Sequence, residues 1–151
     1  MKILLAVDGS PDSDAAIEEI IKRPWPPGSE VKVITAMEMQ VVTGIEPWAV
    51  SPDYFEQMEK SLREAAQDVI NRAMSKLNTN DDKTLKISTE IIQGPPRPVI
   101  VDEAENWHAD LIVMGSRGLS AWNRLLLGSV SSGVVHYAKC SVEIVRSPAA
   151  Q

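Results

Sequence analysis

Short apolar runs alternate with stretches of helical periodicity along the whole chain, and this alternation constrains the fold more than any other feature. Lys2–Val7 is a continuous apolar run of the kind buried on both faces of a sheet. It ends in Asp8-Gly9, a turn signal. Ser10-Pro11 follows, an N-cap residue before a proline at the first helical position. Ala16, Ile17, Ile20 and Ile21 then recur at helical spacing, and the rigid turn Pro24–Gly28 stops that helix. Val31–Met37 reads as a second strand and Val41–Val50 as a loop. Ser51-Pro52 repeats the cap-plus-proline start. Phe55, Met58, Leu62, Ala66, Val69, Ala73 and Leu77 predict a long amphipathic helix. Beyond the polar loop Asn78–Lys83, alternation of Leu85, Ile87, Thr89 and Ile91 predicts a third strand. After Gly94–Pro98, a third helix is marked by Ile100, Ala104 and Trp107. A fourth strand is expected over Asp110–Met114. A fourth helix is expected over Ser129–Ala138, with Val130, Val134 and Tyr137 inward, and a fifth strand over Ser141–Val145. Such alternation favours a parallel sheet with helices on both faces. No repeat, low-complexity tract or linker interrupts it, so the expectation is a single α/β domain over residues 1–151.

Composition removes several function classes. With 44% hydrophobic residues, the 151-residue chain can bury a real core. A formal net charge of -6 without a Lys/Arg cluster argues against a nucleic-acid surface. No apolar run approaches the ~20 residues that span a bilayer. The opening MKILLAVDGS is too short for a secretory h-region and lacks a small-residue cleavage site, so it reads as a strand. The single Cys140 forms no internal disulfide and fits a reducing compartment. The expected location is the cytoplasm, without membrane or nucleic acid as partners.

The chemistry concentrates in GSRGLSAWNRLLLGS, Gly115–Ser129. It leaves the carboxyl end of the fourth strand, as the Asp8 turn leaves that of the first. In open parallel sheets ligands bind beyond those ends, where strand order reverses. If the two strands are neighbours, both turns face one crevice. Glycines permit close backbone approach, and successive free N–H groups form an anion-binding nest. Gly128-Ser129 opens a helix, whose N-terminus offers unpaired N–H groups and a positive dipole. Ser129 and Ser131 add hydroxyls. A glycine pair alone is explained well enough by turn geometry. The full spacing G-x2-G-x9-G-S is more demanding, and it points to a polyphosphate cradle.

That spacing, Gly115-x2-Gly118-x9-Gly128-Ser129, resembles the nucleotide-binding motif of the universal stress protein family. The resemblance covers nearly the whole chain, through ILLAVDGS, VKVITAME, ADLIVMGSRGLS and LLLGSVSSGVVHYAKCSVEIVR. It implies an open five-stranded parallel sheet of order 3-2-1-4-5, with strands one and four side by side. It also implies an adenine nucleotide in the crevice. Ala6 and Val7 would end the strand beneath it. Asp8 would accept from ribose hydroxyls, although a turn or cap role explains an Asp there equally well. Ala36 would meet the adenine through its backbone, and Met114 would pack near ribose or base. Gly115, Arg117 and Gly118 would line the phosphates, followed by Gly128, Ser129, Val130 and Ser131. ATP, ADP, AMP and a cyclic adenine nucleotide all remain open, as does Mg²⁺ accompanying ATP. Family members commonly pair their fifth strands across a two-fold axis, so a homodimer through residues 141–146 is expected.

No residue is assigned a catalytic role. There is no G-x4-G-K-[ST] loop and no acidic residue evidently placed for Mg²⁺. DGSPDS (Asp8–Ser13) superficially resembles the S-G-G-x-D-S loop of adenylating pyrophosphatases, but Asp8 would repel pyrophosphate and Pro11 removes a donor. The expected function is a nucleotide-dependent switch in a stress response. The rivals are a slow ATPase, or an enzyme phosphorylating its own Ser129 or Ser131, and a nucleotide-free interaction module. His108 and His136 lack partners at metal-ligand spacing. Cys140 reads as a buried inert thiol. Trp25 and Trp48 stand in proline-containing loops, where they either meet a partner or fold back on the core. Trp122, inside the x9 segment, is a candidate reporter of binding.

Overall fold

The computed structural model describes residues 1–39, 51–78, 85–119 and 127–148. Along the chain run β1 (Lys2–Ala6), α1 (Pro11–Lys22), β2 (Glu30–Met37), α2 (Pro52–Leu77), β3 (Lys86–Gln93), α3 (Pro96–Asn106), β4 (Leu111–Gly115), α4 (Ser129–Tyr137) and β5 (Ser141–Val145). The strands form one sheet of order β3-β2-β1-β4-β5. All four pairings are parallel, so strands one and four are neighbours, with Ile3 beside Leu111 and Ala6 beside Met114.

The pleat sends alternate residues to opposite faces, and each face has its own core. Ile3, Leu5 and Val7, with Val31, Val33, Leu111 and Val113, pack against Ile17 and Ile20 of α1 and Ile70, Ala73 and Leu77 of α2. Leu4, Ala6, Ile34, Ile112 and Met114 pack against Val99, Ile100 and Ala104 of α3 and Val134 of α4. Burial on both faces is why β1 and β4 read as unbroken apolar runs.

The helix starts follow the local chemistry. Ser10 is extended (φ -72°, ψ 160°), and its Oγ accepts from the Ser13 N–H at 3.2 Å. Ser51 accepts from Tyr54 in the same way. At the end of α3, His108 takes a left-handed φ of 56°, with its N–H donating to Glu105 O and that of Ala109 to Ala104 O. This is the turn-closing position usually given to glycine.

Two expectations need correction, and one alternative is decided. The first half of α2 does not face the core. Tyr54 and Phe55 are exposed, and burial begins at Ala66. Tyr137 points outward at 58% exposure, its ring under the Arg97 guanidinium. Trp25 folds back, donating from Nε1 to Ile20 O at 2.8 Å and packing on the α1/α2 side. Trp48 and Trp122 lie outside the described residues. Among those residues, no helix is long and apolar enough to cross a membrane.

Candidate functional site

A cavity of about 530 Å³ opens beyond the carboxyl ends of β1, β2 and β4, between α3 and the start of α4. It follows from the strand order. Connections from β1 and β4 leave toward opposite faces, so a crevice opens between them. Every residue of the expected set lines it: Ala6 from β1 with Val7 and Asp8 just beyond it, Ala36 from β2, Met114, Gly115, Arg117 and Gly118 from β4 and its loop, and the cap residue Gly128 with Ser129, Val130 and Ser131 of α4. Sequence reasoning missed Ser13, Ile34, Thr35, Glu38, Pro96, Ile100, Ser116 and Leu127.

The two ends of the glycine loop are tied together at their base. Gly128 N–H donates to Ser116 O at 2.8 Å, and Ser131 Oγ lies 2.7 Å from the same carbonyl and 3.0 Å from Gly128 O. Ser131 is 2% exposed, so its proton serves this closure. Its expected part as an added hydroxyl donor is thereby corrected. Ser129 stays exposed at the head of α4. The close approaches explain the glycines. A Cβ on Gly115 would stand 2.7 Å from the Asp12 carbonyl carbon, and one on Gly118 would stand 2.7 Å from Asp8 Oδ2. On Gly128 it would stand 3.2 Å from Ser116 O.

Asp8 is exposed at the mouth. Its Oδ1 accepts from the Ser10 N–H at 2.9 Å, which fixes the carboxylate as an Asx turn, while Oδ2 faces Gly118. Ser10 also donates from Oγ to Arg117 O at 3.2 Å, joining the α1 cap to the glycine loop.

Arg117 is less free than its sequence position suggests. Its Nε lies 3.1 Å from Asp12 Oδ2 and its Nη2 3.3 Å from Oδ1, a forked ion pair. Asp12 is 3% exposed and also accepts from Ser116 Oγ at 2.6 Å, Ser147 N at 3.1 Å and Ser147 Oγ at 2.5 Å. Burial alone would raise its pKa. The donors from Ser116, Ser147 and Arg117 outweigh that and hold the carboxyl well below the usual range. No local signal marks Asp12, because an Asp in a first helical turn is already explained by the helix dipole.

Cys140 is half-buried, and burial pushes its thiol up. Among the described residues, no three His, Cys, Asp or Glu side chains converge as a metal site.

The family model for the universal stress protein family matches residues 1–146. A universal stress protein of Methanocaldococcus jannaschii is 31% identical over 147 residues, covering 97% of this chain and 82% of that protein. One from Thermus aquaticus is 35% identical over 144 residues, covering 95% and 97%. The chain spans about half the length of a Mycobacterium tuberculosis relative, 48% of it, at 32% identity over 96% of this chain. Among solved structures, a universal stress protein of Lactobacillus plantarum superposes with a TM-score of 0.77 at 26% identity, covering 97% of both chains. An Arabidopsis thaliana family structure with AMP bound gives 0.68 at 18% identity, covering 99% and 93%. A universal stress protein in complex with cAMP gives 0.63 at 22%, covering 98% of both chains.

Proposed function

This chain belongs to the universal stress protein family, and we propose that its cavity binds an adenine nucleotide. One observation carries the reading. The strand order and the Ser116–Gly128 closure bring an apolar slot, a carboxylate and a helix N-terminus to one cavity. Ala6, Val7, Ala36, Ile100 and Met114 would bound the base. The free oxygen of Asp8 would accept from sugar hydroxyls. The backbone around Gly115, Gly118, Gly128 and Ser129, with the dipole of α4, would hold phosphate. AMP and cAMP in two other family structures give precedent for the ligand class, while the residues of this cavity carry the argument. Mg²⁺ would arrive on the phosphates of ATP, as that ion commonly does.

Occupancy rather than turnover is the proposed function, because the one cation among the described lining residues, Arg117, is paired with Asp12 and not turned to a transferred phosphate. Nucleotide would bias the segment between Gly118 and Leu127, and that segment would signal. A second copy would pair along the free edge of β5, residues 141–146. Self-phosphorylation is restricted to Ser129, because the Ser131 hydroxyl is buried and committed.

The test is to purify the protein without added ligand, denature it and identify released small molecules by mass spectrometry. Stoichiometric adenine nucleotide supports the reading. If none is released and calorimetric titration with ATP, ADP, AMP and cAMP shows no heat, the reading is wrong. Turnover of γ-labelled ATP that disappears in Gly118→Val would instead favour a slow ATPase.

A further inference from the structure

The described side chains lining the cavity carry three ionisable groups of clear sign: Asp8, Glu38 and Arg117. Arg117 is the single cation, and it is already engaged. Its fork closes on a carboxylate that also takes Ser116 Oγ and both donors of Ser147. Asp12 thus receives five hydrogen bonds from two segments more than a hundred residues away in sequence. With the guanidinium paired, the described residues leave a phosphate the backbone N–H groups, the Ser129 hydroxyl and the α4 dipole. Those donors carry no full positive charge. Each further phosphate adds negative charge to a cavity whose remaining carboxylates, Asp8 and Glu38, are acidic.

We infer that Asp12 determines how many phosphates the cavity favours, by keeping the Arg117 guanidinium from them. The inference rests on the adenine-nucleotide reading for its physiological ligand. Asp12 contacts no part of the cavity ligand in this scheme and acts through Arg117, so it is a positioning residue. Its effect is on discrimination, not on affinity alone. A merely structural anchor would weaken every ligand by one common factor when removed.

The experiment measures dissociation constants for AMP and ATP by calorimetry at fixed ionic strength. Inorganic phosphate and tripolyphosphate serve as probes without a base. Asp12→Asn keeps one accepting oxygen but has neither the charge nor the second oxygen of the forked ion pair with the guanidinium. It should raise the preference for ATP over AMP, and for tripolyphosphate over phosphate, by about tenfold, the worth of one charge-assisted contact. Arg117→Gln alone should weaken ATP and AMP together, leaving their ratio within about twofold. The double variant should return to the wild-type ratio. An unchanged ratio in Asp12→Asn overturns the inference. So does a roughly tenfold loss of ATP preference in Arg117→Gln, because the guanidinium would then already meet the phosphates. That second arm decides the matter if thermal melting shows Asp12→Asn to be unfolded. Wild-type protein that binds neither nucleotide ends the adenine reading, while the tripolyphosphate ratio still decides the role of Asp12.

Discussion

Gly115 and Gly118 belong to one motif, yet the structure predicts opposite consequences for their replacement by alanine. Neither has the left-handed φ found at Gly9, Gly28 and Gly94, so no backbone strain separates them from alanine. The difference is what a Cβ would strike. On Gly115 it would stand 2.7 Å from Asp12 C, 2.8 Å from Ser13 N and 2.9 Å from Asp12 Cβ. These atoms form the first turn of α1, which cannot yield without lifting off β4. Overpacking of this kind costs about 1–3 kcal/mol, which lowers Tm by roughly 2–4 °C per kcal/mol for a chain of this size. On Gly118 the obstacle among the described residues is the tip of one side chain, Asp8 Oδ2 at 2.7 Å, with no other atom of theirs nearer than Asp8 Cγ at 4.0 Å. Rotating Asp8 aside relieves it for the loss of one hydrogen bond from Ser10 N. Reduced freedom of the unfolded chain returns about 0.4–1 kcal/mol for any Gly→Ala change. Gly118→Ala should therefore leave stability within about 0.5 kcal/mol of wild type. Displacing Asp8 should cost nucleotide affinity roughly tenfold, about 1.4 kcal/mol. Urea unfolding with a check on constant m, beside calorimetric titration with nucleotide, separates the two quantities. If Gly118→Ala unfolds as early as Gly115→Ala, or binds nucleotide as tightly as wild type, the assignment of Asp8 and Gly118 to the site is refuted.

Three further outcomes are expected. Asp12 is harder to protonate folded than unfolded, so its stabilisation is complete above its ordinary pKa of 3.8 and fades as pH falls below that. The stability gap between wild type and Asp12→Asn should be flat above about pH 5 and shrink in acid, and a gap that widens on acidification would contradict it. His108→Gly should raise stability by about 0.5–1 kcal/mol, because glycine takes the left-handed turn without a Cβ penalty; chemical denaturation checks it. Val145 O accepts from Ser116 on the β4 side, so the N–H groups of Val142 and Ile144 point to the open edge of β5. Val142→Pro removes one of them while keeping an apolar side chain, and sedimentation should show the proposed β5-paired dimer weakened. An unaltered dimer would place the interface elsewhere. Ile144→Asp is a poorer probe, since it places a charge where Ile144, like Val142, packs on the α3/α4 core.

The central strands were legible because burial on both faces leaves little choice of residue. Leu4 and Ile112 are both fully buried, and both sit in uninterrupted apolar runs. The cavity was legible because its glycines are demanded by close approaches. Helical spacing also located α2, but spacing defines a face and not what covers it. A helix of 26 residues is about 39 Å long, whereas strands of eight residues reach about 27 Å. Much of α2 must overrun the sheet, and Tyr54 and Phe55 lie on that overrun. Asp12 was illegible for a different reason. Its partners Ser116, Arg117 and Ser147 become neighbours only once the strand order is known. A single sequence carries no trace of that proximity.

The clamp between Ser116 O, Gly128 N and Ser131 Oγ also divides labour within the chain. Strand and helix are fastened to one another directly across the base of the glycine loop. Lengthening a connection that is closed in this way costs only about 0.6 kcal/mol per doubling. Insertions between Gly118 and Leu127 should accordingly leave β4 and the start of α4 in register, read as an unchanged urea midpoint.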